Sequence, residues 1–272
     1  LCQLGIKKGD FAFVMIPRIP AWYQVMIGCI KTGVIAMPGT NLLTSKDIEY
    51  RINKSRAKLA IVTSESAEKI DDIVANCPSI ECLIVIGGDR KGWINYDKVC
   101  AESSTQLLRE DVSKTRADDT MLAYFTSGTT AFPKMVPRDY GYAMAHSITG
   151  DYWMDLKKDG IHWTLSDTGW AKAAWGMLFP PWLIGATIVL YDGDLRFDAE
   201  KHLQLIKKLS VTTFCAPPTV YRVFAQTDLS NYDLSSIRHS ISAGEPLNPE
   251  VMRVWKDMTG TDVYDGYGQT ET

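Results

Sequence analysis

Short continuous apolar runs alternate along this chain with segments in which apolar positions recur at the helical period. Short apolar runs of about four to six residues predict buried β-strands at residues 11–16, 59–63, 82–87, 121–126, 186–191, 211–216 and 239–243. Between them, apolar positions recur with the helical period and predict helices at 20–32, 45–56, 66–76, 139–153, 198–209, 218–226 and 248–259. Because continuous apolar strands alternate with helices, we expect an α/β fold with parallel-rich sheets covered by helices.

A polar stretch at residues 101–120 offers the one plausible domain boundary. It predicts a first α/β subdomain at residues 1–110 and a second at 111–272. A long surface connection within a single domain is the alternative, and the pattern alone leaves both open.

Composition is that of an ordinary globular protein, with 272 residues, 46% hydrophobic residues and a net charge of −3. The weak negative charge gives no support for nucleic-acid binding. The six cysteines form no C-x-x-C pair, and the four histidines lack metal-ligand spacing. Scattered cysteines in apolar contexts, such as Cys29 and Cys215, are typical of a reducing compartment. We therefore expect a cytoplasmic protein, or a mitochondrial matrix protein in a eukaryote.

Residues 173–191 carry no charge and are long enough for a membrane span. Pro180 and Pro181 stand in the middle of this stretch and remove two backbone donors. We therefore expect a buried helix end, a turn and then a strand rather than a span.

The segment "TSGTTAFPKMV", residues 126–136, follows a predicted strand and combines four hydroxyl side chains with Gly128. Glycine allows close backbone approach, and unpaired N–H groups around one small volume suit phosphate oxygens. Lys134 adds a positive charge at the rim. The Walker A pattern does not fit, because Met135 stands where that motif has serine or threonine. A solvated, inert Ser/Thr-rich loop is the alternative.

Two further strand–turn segments supply other parts of a nucleotide site. In "SAGEPLNPEV", residues 242–251, Gly244 allows a flat base to lie against bare backbone. In "DGYGQTET", residues 265–272, Tyr267 lies between two glycines and its ring can stack on a base. Thr270 offers a hydroxyl to a phosphate, and Glu271 offers a carboxylate to Mg²⁺. Each segment alone is also compatible with a purely structural turn.

Together, and in this order, the three segments resemble the signatures of the adenylate-forming, or AMP-binding, superfamily. "LGIKKGDFAFVMIPR" near the start is also similar to this superfamily, so the resemblance runs through the whole chain. Met135 and "SDTGWAKAAWGMLFPPW", residues 166–182, resemble the medium-chain acyl-CoA synthetases within it.

The resemblance implies an AMP-forming acid–thiol ligase that uses ATP, Mg²⁺ and coenzyme A. It activates a carboxylic acid, here a medium-chain fatty acid, as an acyl-adenylate and passes the acyl group to coenzyme A. No protein nucleophile is needed, and the sequence shows no convincing Ser-His or Cys-His arrangement. An adenylating enzyme that delivers to a carrier protein, or a nucleotide-binding module without turnover, are the alternatives.

The implied nucleotide-binding residues fall in the three segments. Lys134, Thr270 and Glu271 are the expected catalytic residues, with Glu271 as the metal ligand. The remaining expected nucleotide contacts are Thr126, Ser127, Gly128, Thr129, Thr130, Gly244, Glu245, Pro246, Asp265, Gly266, Tyr267, Gly268 and Gln269.

For the acyl pocket we expect Trp170 and Gly176, because an alkyl chain needs a large apolar surface and a small residue that leaves room. Lys172 is expected to be solvated rather than catalytic.

Two departures from the superfamily pattern matter. Ala131 stands where glycine is usual, so we expect ATP to bind more weakly than to an Ala131→Gly variant, and a titration of both proteins checks this. The ribose-binding aspartate, the hinge and the C-terminal domain with its catalytic lysine would follow residue 272. We therefore expect a large N-terminal domain that is incomplete at both ends and forms no acyl-CoA alone.

Overall fold

The computed structural model describes residues 1–106, 114–126, 132–193, 197–228 and 230–271. Contacts divide the chain into two compact units. The first unit comprises Leu1–Tyr142 and Asp167–Ala171, and the second comprises Ala143–Ser166 and Lys172–Thr272. The sequence-level division at residues 110 and 111 stays a prediction.

The first unit is built from strands and helices that mostly alternate. Its elements are β1 (Phe11–Met15), α1 (Pro20–Thr32), β2 (Ile35–Pro38), α2 (Ser45–Ser55), β3 (Leu59–Thr63), α3 (Ser64–Asp71), β4 (Cys82–Ile86), β5 (Ile94–Asn95), α4 (Tyr96–Glu102), β6 (Thr120–Thr126) and β7 (Lys134–Asp139). Helix α5 (Tyr140–Ile148) begins at the end of this unit, and a π-helical turn at Thr149–Trp153 continues it.

The described strands of the first unit form one sheet in the order β5-β4-β3-β1-β2-β6-β7. All neighbours are parallel except β6 and β7, which pair antiparallel. Strands β1 and β3 are almost wholly buried, because helices cover both faces of a parallel sheet.

The second unit repeats the alternation. Its elements are β8 (Ile161–Thr164), α6 (Ala171–Ala173), a π-helical turn (Ala174–Leu178), α7 (Phe179–Ile184), β9 (Thr187–Ile188), α8 (Ala199–Leu209), β10 (Thr213–Ala216), α9 (Pro218–Phe224), β11 (His239–Ala243), α10 (Pro249–Thr259) and β12 (Val263–Gly266). The described strands form a parallel sheet in the order β12-β11-β10-β8-β9. The predicted α/β fold with parallel-rich sheets is confirmed.

An aromatic core holds α9 and α10 against this second sheet. The Trp255 ring stacks on Phe214 at 6.2 Å and meets Tyr221 edge-on at 5.0 Å. All three rings are buried, and Trp255 Nε1 donates to Ser240 Oγ at 3.0 Å. The buried indole N–H therefore has the partner that its burial requires.

The expected order of helix end, turn and strand is found at α7, Gly185 and β9, but the helix does not stop at Pro180 and Pro181. Residues 171–184 are continuously helical, and the two prolines lie in the first turn of α7, where backbone N–H groups need no helical partner. The helix ends instead at Gly185, whose φ of 84° forms a left-handed cap. The strand predicted at 186–191 shrinks to Thr187–Ile188. No helix among the described residues has both the length and the apolar character needed to span a membrane.

Several strands were missed, and polar residues explain all of these misses except β2. Strand β8 carries the buried His162 and Thr164, β12 carries Asp265, and β7 is an edge strand with exposed positions. Strands β2 and β5 and helix α4 were also not predicted. Strands β5, β7, β8 and β12 lack the continuous apolar run on which the strand predictions depended. Strand β2 is wholly apolar and buried, so polarity does not explain why it was missed.

Candidate nucleotide and acyl site

The phosphate-loop segment connects two antiparallel strands of the first unit. Thr126, the last residue of β6, pairs with Lys134, the first residue of β7. The predicted phosphate-binding residues Ser127, Gly128, Thr129 and Thr130, together with Ala131, lie outside the described residues. Lys134 is exposed, so its ammonium is open to an anionic ligand.

Thr126 has a hydroxyl oxygen that is buried and has no hydrogen-bond partner among the described residues. A buried hydroxyl without a partner costs free energy unless a ligand or a further group satisfies it. Its place at the start of the predicted phosphate loop fits a phosphate ligand.

The two other nucleotide segments lie at neighbouring strand ends of the second unit. Strands β11 and β12 are parallel and adjacent, with Ala243 opposite Gly266. The turns that follow them therefore leave the sheet side by side, at the carboxyl edge where α/β folds bind ligands. Asp265 Oδ2 accepts a hydrogen bond from Leu247 N at 3.1 Å and joins the two turns.

The turn after β11 is held by two basic side chains. Gly244 has a φ of 121°, a conformation that side-chain-bearing residues rarely adopt. Lys172 Nζ donates to the carbonyl oxygen of Ala243, and Arg222 forms an ion pair with Glu245. Gly244, Glu245 and Pro246 themselves are exposed. These contacts fix the turn, while its exposed residues stay open to a ligand.

The prediction that Lys172 is solvated is wrong. Desolvation by burial lowers the pKa of this ammonium, and Glu245 nearby partly offsets that effect. Sequence reasoning missed this contact because Lys172 and Ala243 lie 71 positions apart.

The segment after β12 presents an open aromatic ring. Tyr267 is 89% exposed, and an added Cβ at Gly268 would meet nothing within 4 Å. Gln269 and Glu271 are exposed and Thr270 is half-buried. A flat ring with free space around it is suited to stacking on a base.

A magnesium ion at Glu271 would have few protein ligands. Among the described residues, no group of three or more His, Cys, Asp or Glu side chains is placed to hold a metal ion. Mg²⁺ commonly binds through one or two carboxylates and completes its shell with water and substrate phosphates. A single carboxylate such as Glu271 fits this mode of binding.

The profile of the family described as "AMP-binding enzyme" matches residues 1–272, the whole chain. The chain belongs to the AMP-binding enzyme family. Human acyl-coenzyme A synthetase ACSM4, mitochondrial, is 41% identical over 269 residues, which are 98% of this chain and 46% of that protein. Mouse acyl-coenzyme A synthetase ACSM3, mitochondrial, is 41% identical over 270 residues, with the same two shares. The chain thus spans about half the length of these curated relatives.

Solved structures of similar proteins share the fold. The anthranilate CoA ligase AuaEII in complex with anthranoyl-AMP is 30% identical with a TM-score of 0.91, over 99% of this chain and 52% of that one. An acyl-CoA synthetase from Brucella canis is 30% identical with a TM-score of 0.85, over 99% of this chain and 49% of that one.

In this AMP-binding enzyme, the predicted acyl-pocket residues Trp170 and Gly176 fall in different units. Trp170 is 52% exposed and belongs to the segment 167–171 of the first unit. Gly176 lies in the π-helical turn of the second unit, where an added Cβ would come within 2.7 Å of Thr164 Cγ2. Close helix–strand packing is therefore a sufficient reason for the glycine, and its pocket role stays a prediction.

A pair of tryptophans close to the predicted nucleotide-binding turns was missed. The Trp153 and Trp175 rings are 5.3 Å apart, and a Cβ at Gly266 would lie 2.2 Å from Trp153 Cζ2. Gly266 thus lets an indole pack directly against the end of β12. The glycine in "DGYG" was the available signal, but sequence alone does not show which ring it meets.

His162 organises the strand beneath the π-helical turn. Its Nδ1 lies 2.8 Å from Thr213 Oγ1, and its Nε2 lies 2.7 Å from Thr164 Oγ1. Thr164 Oγ1 also donates to the Gly176 carbonyl oxygen at 2.9 Å. Burial lowers the pKa of His162 to about 4, so the ring is neutral at physiological pH.

This buried histidine predicts an acid-sensitive fold. Between pH 6.5 and 4 the unfolded chain binds a proton at His162 that the folded chain does not, since folding lowers this pKa from 6.5 to about 4. The free energy of unfolding is therefore unaffected by the titration of His162 above pH 6.5 and decreases as the pH falls below that value. From pH 7.5 to 5 we expect a loss of about 2 kcal/mol. Urea unfolding of the wild type and His162→Gln checks this, because equal losses in both proteins would contradict it.

Proposed function

We propose that the whole protein is an ATP-dependent carboxylic acid–CoA ligase. The observation that carries the proposal is the pairing of β11 with β12, which brings the Gly244 turn and the exposed Tyr267 ring to one sheet edge. Membership of the AMP-binding enzyme family and the acyl-coenzyme A synthetase relatives support it. The mitochondrial names of those relatives support a matrix location if the organism is a eukaryote.

In this proposal the second unit binds the adenosine. Gly244, Glu245 and Pro246 flank the adenine, and Tyr267 stacks on it. Lys172 and Arg222 keep the turn in place, since they contact Ala243 and Glu245. Asp265, Gly266, Gly268 and Gln269 complete the lining of the site.

The phosphates are assigned to side chains at the segment ends. Lys134 and the hydroxyl of Thr126 would face the β- and γ-phosphates, together with residues 127–130, and Thr270 would bond the α-phosphate. Glu271 would hold Mg²⁺, which supplies positive charge to the phosphate oxygens. Positioning and charge stabilisation of this kind are the main contributions of a protein to phosphoryl chemistry.

The proposed reaction has two steps. A carboxylate oxygen of the acid attacks the α-phosphorus of ATP, and the bond to pyrophosphate breaks. The thiol sulfur of coenzyme A then attacks the acyl carbon, AMP leaves, and the thiol proton is released. Neither step requires a covalent bond to the protein.

The acid is proposed to be a medium-chain fatty acid, bound near Trp170 and Gly176. The paired Trp153 and Trp175 rings beside Gly266 offer further apolar surface within the second unit. The similar structure with anthranoyl-AMP carries an aromatic acyl group. A panel from acetate to dodecanoate, with benzoate, distinguishes these acids.

The test compares two tyrosines of the same segment in the whole protein. Tyr267→Ala is expected to raise the KM for ATP about tenfold, because base stacking contributes on the order of 1.4 kcal/mol. Tyr264 is also exposed, but its ring stacks on His239 at 4.6 Å, so Tyr264→Ala is expected to leave this KM unchanged. Pyrophosphate release and thioester formation are the two readouts.

Three outcomes separate the candidates. Release of pyrophosphate with transfer to coenzyme A supports the ligase. Transfer only to a phosphopantetheinyl carrier protein would show an adenylating enzyme that loads a carrier. Nucleotide binding without pyrophosphate release would show a binding module without turnover.

A further inference from the structure

Helix α2 contacts the segment that leads into β7. The Tyr50 ring of α2 stacks on Phe132, with centroids 5.2 Å apart and planes inclined by 22°. Tyr50 Oη donates a hydrogen bond to the Pro133 carbonyl oxygen at 3.1 Å. One side chain therefore holds both residues that immediately precede Lys134.

The same helix also contacts the strand on the other side of the connection. The Phe125 ring of β6 meets Tyr50 edge-on at 6.1 Å, and the Arg51 guanidinium lies 5.3 Å from the Phe125 centroid. Arg51 is itself fixed by a hydrogen bond from Nη1 to the Asp47 carbonyl oxygen at 2.8 Å. Two consecutive residues of α2 thus contact both ends of the β6–β7 connection.

Helix α2 is a rigid base for these contacts. Ile48 and Ile52 bury its inner face completely. At its start, Thr44 and Asp47 form a reciprocal capping box. The contacts of Tyr50 are therefore made from an element that the core holds in place.

Phe132 is largely exposed, so burial in the core does not explain why a large apolar side chain stands at this position. This ring is 62% exposed, although large apolar side chains usually avoid water. Stacking on Tyr50 shields one face, and the hydrogen bond to Pro133 fixes the adjoining peptide. Both contacts restrict the backbone at the residue from which the Lys134 side chain extends.

We propose that Tyr50 is a positioning residue for phosphate binding. By stacking on Phe132 and bonding to the Pro133 carbonyl, it orients Lys134 toward the β- and γ-phosphates of ATP. This inference rests on the proposed function. Tyr50 itself does not touch the reacting atoms.

The first experiment needs no nucleotide and uses residues 1–272. Trypsin cleavage after Lys134 is followed in the wild type, Tyr50→Ala, Tyr50→Phe and Tyr96→Phe. Tyr96 on α4 is the matched control, since its hydroxyl donates to Gln24 Oε1 at 2.8 Å in the same unit. Cleavage is expected to be about tenfold faster in Tyr50→Ala and unchanged in Tyr96→Phe. Equal rates in all four proteins would show that Tyr50 does not restrain the backbone at Lys134.

The second experiment compares the dissociation constants of ATP and AMP by calorimetry. AMP lacks the β- and γ-phosphates. If Tyr50 positions Lys134 for these phosphates, its substitution weakens the binding of ATP but not of AMP. We expect about a fivefold increase for ATP in Tyr50→Phe and at least about tenfold in Tyr50→Ala, with AMP changed less than twofold. Equal losses for both nucleotides would reduce Tyr50 to a structural residue.

The two experiments keep the two hypotheses apart. A wild type that binds neither nucleotide overturns nucleotide binding by this chain. Trypsin cleavage then decides whether Tyr50 restrains the backbone at Lys134. If Tyr50→Ala does not fold, Tyr50→Phe still tests the hydrogen bond, because it retains the ring. An unchanged ATP dissociation constant in Tyr50→Phe together with unchanged cleavage would then reject the proposal.

Discussion

Replacing Gly169 by alanine is expected to lower the free energy of unfolding of the first unit by at least about 3 kcal/mol. An added Cβ would lie 2.1 Å from Thr40 N and 2.3 Å from Gly39 C, both of them backbone atoms. The residues that follow β2 cannot move away at low cost, because Gly39 N donates to the Val14 carbonyl oxygen at 2.9 Å. The segment on the other side is also tied, since Thr168 Oγ1 donates to the Ile16 carbonyl oxygen at 2.5 Å.

Urea unfolding followed by circular dichroism measures this effect. Gly28→Ala is the matched control, because a Cβ at this position of α1 meets nothing within 4 Å. Alanine there is expected to stabilise the protein by about 0.5–1 kcal/mol, through helix propensity. Identical unfolding midpoints for Gly169→Ala and the wild type would show that the segment 167–171 does not pack as described.

Lys134→Met in the whole protein is expected to lower the rate of pyrophosphate release about 100-fold. In the proposed reaction, this substitution removes a positive charge where negative charge shifts onto the leaving phosphates. Lys134 is exposed and lies at the start of an edge strand, so the substitution should leave the fold intact. Pyrophosphate release with saturating acid measures the loss.

Two further variants make this result specific. Lys134→Arg keeps the charge and is expected to recover part of the rate. Lys98→Met removes another exposed lysine of the first unit, whose partner is Asp89 at 2.7 Å, and is expected to change nothing. A rate in Lys134→Met within threefold of the wild type would remove Lys134 from the catalytic residues.

Elements with strong local signals were predicted almost to the residue. Helix 20–32 is confirmed at both ends, since Pro20 starts it and Gly33 closes it with a φ of 72°. The strands at 59–63 and 239–243 also keep their predicted bounds. In each case the residues that form the element also carry its signal, so neighbours in the chain are enough to specify it.

Elements stabilised by distant partners escaped prediction. His162 and Thr164 make β8 look polar, yet Thr213 and the Gly176 carbonyl satisfy them in the folded chain. A sequence pattern records only the polarity of such residues and not the partner that makes their burial favourable.

The candidate site divides in the same way. The three segments, with their glycines, hydroxyls, Lys134, Tyr267 and Glu271, are visible in the sequence because each carries its chemistry within about ten residues. Two contacts that hold these segments join residues far apart in the chain. Lys172 and Ala243 are separated by 71 positions, and Tyr50 and Pro133 by 83. Which side chains support a turn is therefore not contained in the turn itself.

The sequence by itself determined the α/β class, most helices and the candidate chemistry, because these depend on local periodicity and residue type. Only the tertiary structure decided that β11 and β12 are neighbours and that the half-buried Lys172 contacts the Ala243 carbonyl oxygen. It also decided that Gly169 must be a glycine. The physical reason is that hydrogen bonding, desolvation and steric exclusion act between atoms that are close in space, whatever their separation along the chain.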